Sequence, residues 1–98
     1  MTLETILPTL TEKVSKADAI GKTLKFDFGS KQLYIDGTGE QNVVSTENKD
    51  ADCLVIVSEE NFMALIKGDL NPMSAVMTGK IKIKGEMGVA MKLSSLFG

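Results

Sequence analysis

The sequence contains no histidine, no tryptophan and no arginine, and Cys53 is the single cysteine among its 98 residues. Without histidine, the chain lacks the commonest general base and the commonest metal ligand of proteins. One cysteine excludes an intramolecular disulfide. The absence of arginine and a formal net charge of −2 argue against a nucleic-acid-binding protein. We therefore predict no catalytic residue, no metal site, no cofactor and no nucleic-acid partner.

Long hydrophobic runs are also missing. The longest one, Cys53 to Val57, is far shorter than the roughly 20 residues that span a membrane. The first residues, Met1 to Glu4, lack the basic and apolar regions of a signal peptide. We expect one domain, residues 1–98, in the cytoplasm. A peroxisomal location stays open for a eukaryotic source, although the chain does not end in the peroxisomal tripeptide.

The apolar residues that are present are mainly aliphatic. They make up 43% of the chain, whereas aromatic residues make up 5%, and there are six methionines. Five of these methionines fall between positions 63 and 91. Methionine is flexible and fills irregular gaps in a core, but it also adapts to ligands of different shape. The residues alone leave both explanations open.

The first half of the chain predicts one helix and then four strands. Apolar residues recur at helical spacing over 2–16, where Pro8 marks either a late helix start near Thr5 or a kink. Period-two alternation follows over 24–28 and 33–35, and two further strand candidates, 41–46 and 51–57, come after short turns. Four strands joined by short turns predict an antiparallel meander. The continuous apolar run of the fourth strand predicts burial on both faces.

Helical signals return after the fourth strand. Ser58 and Asn71 are good N-cap residues, Pro72 suits a first helical position, and Gly68 and Gly79 end the two helices. A fifth strand over 80–84 and a last helix over 86–97 complete the chain. Because strands and helices segregate, we predict an α+β fold. The fifth strand follows two helices, so we expect it to pair away from its predecessor, with a parallel pairing open.

The second half of the chain resembles the sterol carrier protein 2 family. The residues that carry the resemblance are Ala51-Asp52-Cys53, Gly68-Asp69-Leu70-Asn71-Pro72-Met73-Ser74-Ala75, Gly79-Lys80-Ile81-Lys82-Ile83-Lys84-Gly85 and Met87-Gly88-Val89-Ala90-Met91-Lys92-Leu93. Residues 1–50 match the family only in their pattern of a helix and a meander. One departure is Met73, because several family members have a polar residue there; this favours a more apolar pocket end.

The resemblance implies a five-stranded, mainly antiparallel sheet covered on one face by helices, with a hydrophobic tunnel between the two layers. It implies non-catalytic binding and transfer of fatty acids, fatty acyl-CoA, sterols or phospholipids. The last helix is expected to form one wall, with Met87, Met91 and either Leu96 or Phe97 turned inward. The residues expected to line the tunnel are Phe28, Leu33, Ile35, Phe62, Leu65, Ile66, Met73, Val76, Met77, Ile83, Met87, Met91 and Leu96.

Several alternatives remain open. The chain is also consistent with an accessory domain that presents acyl-CoA to a partner thiolase or dehydrogenase, or with an interaction module that has a filled core. The lysines at 80, 82, 84 and 92 suit transient contact with an anionic membrane surface, but alternating lysines also protect an edge strand. Gly85 and Gly88 suit close packing of a helix on a strand. Cys53 lies in an apolar run, where a structural thiol is usual.

Overall fold

The fold, a computed structural model, is described for residues 3–90 and Lys92. Its elements are α1 (Leu3–Lys16), β1 (Thr23–Asp27), β2 (Gln32–Asp36), β3 (Val43–Ser45), β4 (Cys53–Val57), α2 (Glu59–Lys67), α3 (Pro72–Met77), β5 (Ile81–Gly85) and α4 (Met87–Ala90). The predicted α+β class with five strands is confirmed. Helix α1 begins at Leu3 and runs through Pro8. Apart from Lys92, the predicted last helix beyond Ala90 lies outside the described residues.

The strands form one mixed sheet in the order β3-β2-β1-β4-β5. The pairs β1–β2, β2–β3 and β4–β5 are antiparallel, whereas β1 and β4 are parallel. The prediction of a four-stranded meander is therefore wrong for β4. The prediction for β5 is also wrong, because β5 pairs antiparallel with its predecessor. The two differences have one cause. The apolar strand β4 lies between β1 and β5, where its side chains are covered better than they would be at an edge of the sheet.

The connection from β3 to β4 crosses the face of the sheet that carries Lys25 and Tyr34. These two residues are cross-strand partners. The ammonium group of Lys25 donates a hydrogen bond to Asn48 Oδ1 at 2.8 Å. The ammonium group of Lys49 lies 5.8 Å from the centre of the Tyr34 ring. We call this side the outer face; a polar connection covers part of it.

The opposite side, the inner face, holds the core. In β4, Cys53, Val55 and Val57 are buried on this face, whereas Leu54 and Ile56 are half-buried on the outer one. The prediction that β4 is buried on both faces therefore holds for the inner face only. All four helices contribute buried or packed residues to the inner side, so the fold has two layers.

A buried polar side chain, Asn42, fixes the end of α1 to the sheet. Its Oδ1 accepts a hydrogen bond from the main-chain N–H of Ile20 at 3.0 Å. Its Nδ2 donates to the carbonyl oxygens of Val14 and Asp18, both at 3.0 Å. Helix ends leave carbonyl groups without partners inside the helix, and this amide satisfies them. Asn42 thus sets the position of α1 over the sheet.

Candidate functional site

An apolar layer fills the space between the helices and the inner face of the sheet. Its buried members are Leu10, Val14, Ile20, Leu24, Phe26, Leu33, Ile35, Cys53, Val55, Val57, Phe62, Met63, Leu65, Ala75, Ile81 and Val89. Alternation along the strands and helical spacing along α1 and α2 bring these residues to one side of their elements. An interior of this composition excludes water.

Three phenylalanine rings meet where β1 faces α2. The ring centre of Phe62 lies 4.9 Å from that of Phe26 and 5.0 Å from that of Phe28, with tilted planes. Phe26 and Phe28 lie nearly parallel at 6.4 Å. Tilted and offset rings at these distances attract one another beyond the area that they bury. Phe26 and Phe62 are fully buried, whereas Phe28 is half-buried, so the cluster extends from the core to the surface.

Half-buried apolar residues border this layer on the side of α2, α3 and β5. They are Phe28, Ile66, Leu70, Val76 and Ile83, and we call them the α2–α3 rim. Each packs against buried residues while part of its surface remains accessible. The rim is therefore a place where the apolar interior meets the solvent.

The structure distributes the predicted lining residues over the layer, the rim and the surface. Leu33, Ile35, Phe62 and Leu65 belong to the buried layer, and Phe28, Ile66, Val76 and Ile83 belong to the rim. Met73 and Met77 belong to neither, because 57% and 85% of their respective surfaces are exposed. Met87 begins α4, but its side chain is outside the described part. Met91 and Leu96 lie outside the described residues.

Other residues of the layer were not among those predicted. Phe26 joins the rings of Phe28 and Phe62, and its place two residues before Phe28 in an alternating strand was a sufficient signal. Met63 is buried in α2, and Val89 is buried in α4. For Met63 the signal was its position three residues before Ile66, a spacing that places two residues on neighbouring parts of one helix face.

The interior offers little polar chemistry. Among the described residues, Asn42 is the one buried polar side chain, and its hydrogen-bonding groups are engaged by the backbone. Cys53, the single cysteine of the chain, is also buried. No group of three metal-ligating side chains occurs within residues 3–90 and 92. In the same part of the chain, no helix is long and apolar enough to cross a bilayer.

Asp52, from the motif before β4, holds three strands in register. Its Oδ2 accepts hydrogen bonds from the main-chain N–H and the hydroxyl of Thr23, both at 3.0 Å. These bonds, the main-chain one first, lower the pKa of the Asp52 carboxyl from its ordinary value of 3.8. The Asp52 carbonyl oxygen accepts from the N–H of Glu86 at 3.0 Å, which joins β4 to the end of β5.

The motif from Gly68 to Pro72 builds the corner between α2 and α3. Gly68 adopts a left-handed conformation with φ of 81°, which glycine tolerates and which ends α2. The Asn71 side chain then accepts hydrogen bonds from the N–H groups of Met73 at 2.9 Å and Ser74 at 3.3 Å, capping α3. These motif residues thus position Val76 and Met73 instead of forming a polar pocket.

The four lysines considered for membrane contact separate into two groups. Lys82 and Lys84 are exposed on β5, an edge strand, and Lys80 is exposed immediately before it. The ammonium group of Lys92 instead donates a hydrogen bond to the carbonyl oxygen of Ile20 at 2.8 Å. Lys92 therefore ties the chain after α4 to the segment before β1.

Comparison with known proteins gives a consistent match. The model of the SCP-2 sterol transfer family matches residues 3–98. The human protein named sterol carrier protein 2 is 45% identical over 58 residues, which are 59% of this chain and 11% of the human protein. The chain thus spans about a tenth of the length of that curated relative.

Solved structures share the fold at lower identity. Sterol carrier protein 2 from Yarrowia lipolytica, in its apo form, matches with a TM-score of 0.78 at 22% identity, over 94% of this chain and 86% of that one. The palmitated SCP2L2 from Aedes aegypti matches with a TM-score of 0.72 at 24% identity, over 99% and 95% of the two chains. Similarity at this level of identity establishes the fold.

Proposed function

The chain belongs to the SCP-2 sterol transfer family, and from this premise we propose that it binds apolar lipids between its helices and the inner face of its sheet and transfers them. The ligands are long-chain lipids such as fatty acids, fatty acyl-CoA, sterols or phospholipids. The acyl chain or sterol skeleton is the part recognised, and the headgroup contributes little. No bond is made or broken, so the protein is a carrier without intrinsic catalysis.

One observation carries this proposal: a purely apolar layer reaches the surface at the α2–α3 rim. Of the thirteen residues predicted to line a tunnel, four lie in the buried layer and four lie in the rim. No charged side chain of the described residues is buried in this interior. A ligand inserted there would meet hydrocarbon on all sides, which favours an acyl chain over any polar molecule.

The expected strength of binding suits a carrier. Burying about ten methylene groups at roughly 0.8 kcal/mol each contributes about 8 kcal/mol. Before the cost of ordering the ligand, this corresponds to a dissociation constant of about 1 μM. A complex of this strength forms readily and also releases its lipid.

The rim is the proposed access route. A lipid that enters the layer has to displace side chains, and half-buried side chains are displaced at lower cost than buried ones because fewer contacts are lost. Val76 and Ile83 lie on different elements, α3 and β5, which pack against each other. Separation of these two residues would open the layer. The solved SCP2L2 from Aedes aegypti is palmitated, which supports an acyl chain as ligand.

Displacement of a fluorescent fatty acid tests the proposal. We expect several lipids with unrelated headgroups to compete, because the headgroup lies outside the apolar layer. Extraction of the purified protein with organic solvent, followed by mass spectrometry, should identify lipids that it carries. A protein that binds no fatty acid and carries no lipid would instead be an interaction module with a filled core.

A matched pair of variants locates the site. Ile83 and Val44 are both half-buried on the inner face, but Ile83 is the rim residue on β5 and Val44 lies on the opposite edge strand, β3. We expect Ile83→Asp to weaken fatty acid binding at least tenfold, since an unpaired charge in an apolar site costs about 2 kcal/mol or more. Val44→Asp should retain the affinity while losing similar stability. Equal loss in both variants would place the site elsewhere.

The length of the curated relative favours a second candidate function. Because the chain matches only 11% of the human protein, a domain of this type also occurs within a much longer chain. We propose as the alternative that the domain presents acyl-CoA to a partner thiolase or dehydrogenase. A stable complex with such an enzyme, detected by co-purification, would favour this role over free transfer.

A further inference from the structure

Strand β5 forms one edge of the sheet, and every second residue directs its backbone outward there. The N–H of Glu86 donates to the carbonyl oxygen of Asp52 at 3.0 Å, one residue beyond the β4–β5 ladder. Hydrogen-bonded pairs alternate between antiparallel strands, so Lys84 and Lys82 direct their N–H and C=O groups toward β4. The N–H and C=O groups of Ile83 therefore point away from the sheet. Among the described residues, no strand pairs with β5 on that side.

The other edge strand, β3, is a poorer template for a further strand. It contains three residues, Val43–Ser45, whereas β5 contains five, Ile81–Gly85. Helix α1 packs against β3, and helix α3 packs against β5. On β5, however, Lys82, Lys84 and Gly85 remain exposed. Of the two edges, β5 is therefore the one that offers a longer and more accessible backbone.

Lysines alternate along this edge and face the outer side of the sheet. Lys82 and Lys84 lie opposite half-buried apolar residues of β4, and Lys80 is exposed immediately before β5. None of the three forms an ion pair with a described residue. Residues 70–85 contain these three lysines and no aspartate or glutamate, although the chain as a whole has a net charge of −2. Their charges are therefore available to an acidic partner.

The lysines also determine which strand this edge accepts. Two copies of β5 paired antiparallel with their outer faces aligned would place Lys82 of one copy opposite Lys84 of the other. Like charges that face each other across two strands are destabilising, and alternating lysines protect an edge from self-pairing in this way. A strand with acidic side chains in the same alternation would instead form opposite-charge pairs. Its intervening side chains would lie beside Ile83, which is half-buried on the inner face, so they should be apolar.

We propose that β5 binds an extended acidic segment of a partner protein, which joins the five-stranded sheet as an additional strand. Acidic side chains at alternate positions of the segment pair with Lys82 and Lys84 on the outer face. Its main chain exchanges hydrogen bonds with the outward N–H and C=O groups of Ile83. Backbone pairing supplies affinity in this mode of recognition, and the alternate side chains supply specificity. The inference goes beyond the proposed function, because it gives the carrier a protein partner.

Fluorescence anisotropy with a labelled peptide tests the proposal. The probe is a terminally blocked peptide in which glutamate alternates with valine over the length of β5. It should bind the wild-type protein, and more weakly at high salt, because the paired charges are exposed to solvent. A peptide of the same composition with its glutamates contiguous should bind at least about fivefold more weakly, since it cannot place acids on one face and valines on the other. Equal binding of the two peptides would show attraction by net charge alone and would overturn the proposal.

Methylation of the peptide amides tests the backbone hydrogen bonds separately from the charges. An added strand turns every second amide toward β5 and the other amides away from it. Methylation of one alternate set should therefore abolish binding, whereas methylation of the other set should change the affinity by less than about twofold. If the two sets have the same effect, the peptide does not pair as a strand, and the proposal is wrong.

Protein variants test the lysines. Lys82→Gln with Lys84→Gln should weaken peptide binding about 2- to 30-fold, because each opposite-charge pair between facing strands contributes a factor of about 1.4 to 5. Lys13→Gln with Lys67→Gln is the matched control, since it removes two exposed lysines from α1 and α2. The control should bind the peptide as the wild type does. Equal losses in the two double variants would contradict a site on β5.

Charge reversal provides the converse test. Lys82→Glu with Lys84→Glu should bind a lysine–valine peptide in preference to the glutamate–valine peptide, because the same strand pairing then carries the opposite charges. Binding of a fluorescent fatty acid should be unchanged in both variants of the β5 lysines, which shows that they are folded. A loss of fatty acid binding would mean that these lysines act through the fold, and a charge-reversed protein that binds neither peptide would likewise overturn the proposal.

Discussion

The carbonyl oxygen of Asp52 occupies the space that a Cβ atom at position 85 would need, so Gly85 has to remain glycine. Gly85 also has a φ of 97°, in the left-handed region that other residues seldom adopt. The close approach joins the start of β4 to the end of β5, immediately before α4. It explains why Asp52 and Gly85 both belong to the motifs that carry the family resemblance.

Gly85→Ala should destabilise the protein more than Gly29→Ala. Both glycines have a φ of 97°, but a Cβ at Gly29 meets no atom within 4 Å. Gly29→Ala therefore carries the conformational penalty alone, about 1–2 kcal/mol. Gly85→Ala adds overpacking against the backbone, about a further 1–3 kcal/mol. Urea unfolding measures both, and equal midpoints would contradict the close approach.

Asn42→Ala should lower the free energy of unfolding by about 2–4 kcal/mol. The substitution leaves the buried N–H of Ile20 without its partner and removes the amide donor to the carbonyl oxygens of Val14 and Asp18. Asn48→Ala is the matched control, because Asn48 is exposed and makes one hydrogen bond, to Lys25. It should change stability by less than about 0.5 kcal/mol. Similar effects in the two variants would mean that the Asn42 contacts do not form.

The hydrogen bonds of Asp52 predict that the protein loses part of its folding stability at low pH. Its pKa is lower in the folded protein than the ordinary value of 3.8, so it stabilises the fold above that value and ceases to do so as the pH falls through its folded pKa. Urea midpoints between pH 7 and pH 2 should therefore fall less steeply for Asp52→Asn than for the wild type below about pH 4. Asp50→Asn makes the same charge change on the neighbouring loop. A parallel decline in all three proteins would exclude this role.

The Cys53 thiol should resist chemical modification in the folded protein. It is fully buried on the inner face of β4, so a thiol reagent reaches it only after local or global opening. We expect labelling at least about 100-fold slower in buffer than in urea. Cys53→Ser should confirm that no thioesterase or thiolase activity depends on this residue. Labelling at the same rate with and without urea would show that the inner face is open.

Turn signals and periodicity predict the strands but not their order. The short turns correctly place β2 beside β1 and β3 beside β2, since such turns act between neighbours in sequence. The parallel pairing of β1 with β4 depends on which strands cover each other best, a property of the whole sheet. The sequence signal for it was the unbroken apolar run of β4, which suits a central strand.

The candidate site was also predicted only in part: periodicity identified its buried residues, whereas side-chain type alone did not. Residues chosen by their period, such as Leu33, Ile35 and Phe62, are buried in the apolar layer. Met73 and Met77 were chosen for their side-chain type, and both are exposed because Ala75 and Val76 occupy the packed side of α3. A six-residue helix contains too few turns for a hydrophobic stripe to reveal which side is packed.

The parallel pairing at the centre of the sheet sets the order in which the protein is able to fold during synthesis. Thr23 and Asp52, which meet where β1 and β4 begin, are 29 residues apart in sequence. Until Val57 has left the ribosome, β1 has no neighbour on that side and the inner face stays incomplete. Folding is slow when a long loop has to close, because the entropy cost of closure precedes the contacts that offset it. The two layers therefore assemble only after β4 has been synthesised, because β4 supplies the parallel neighbours of Leu24 and Phe26.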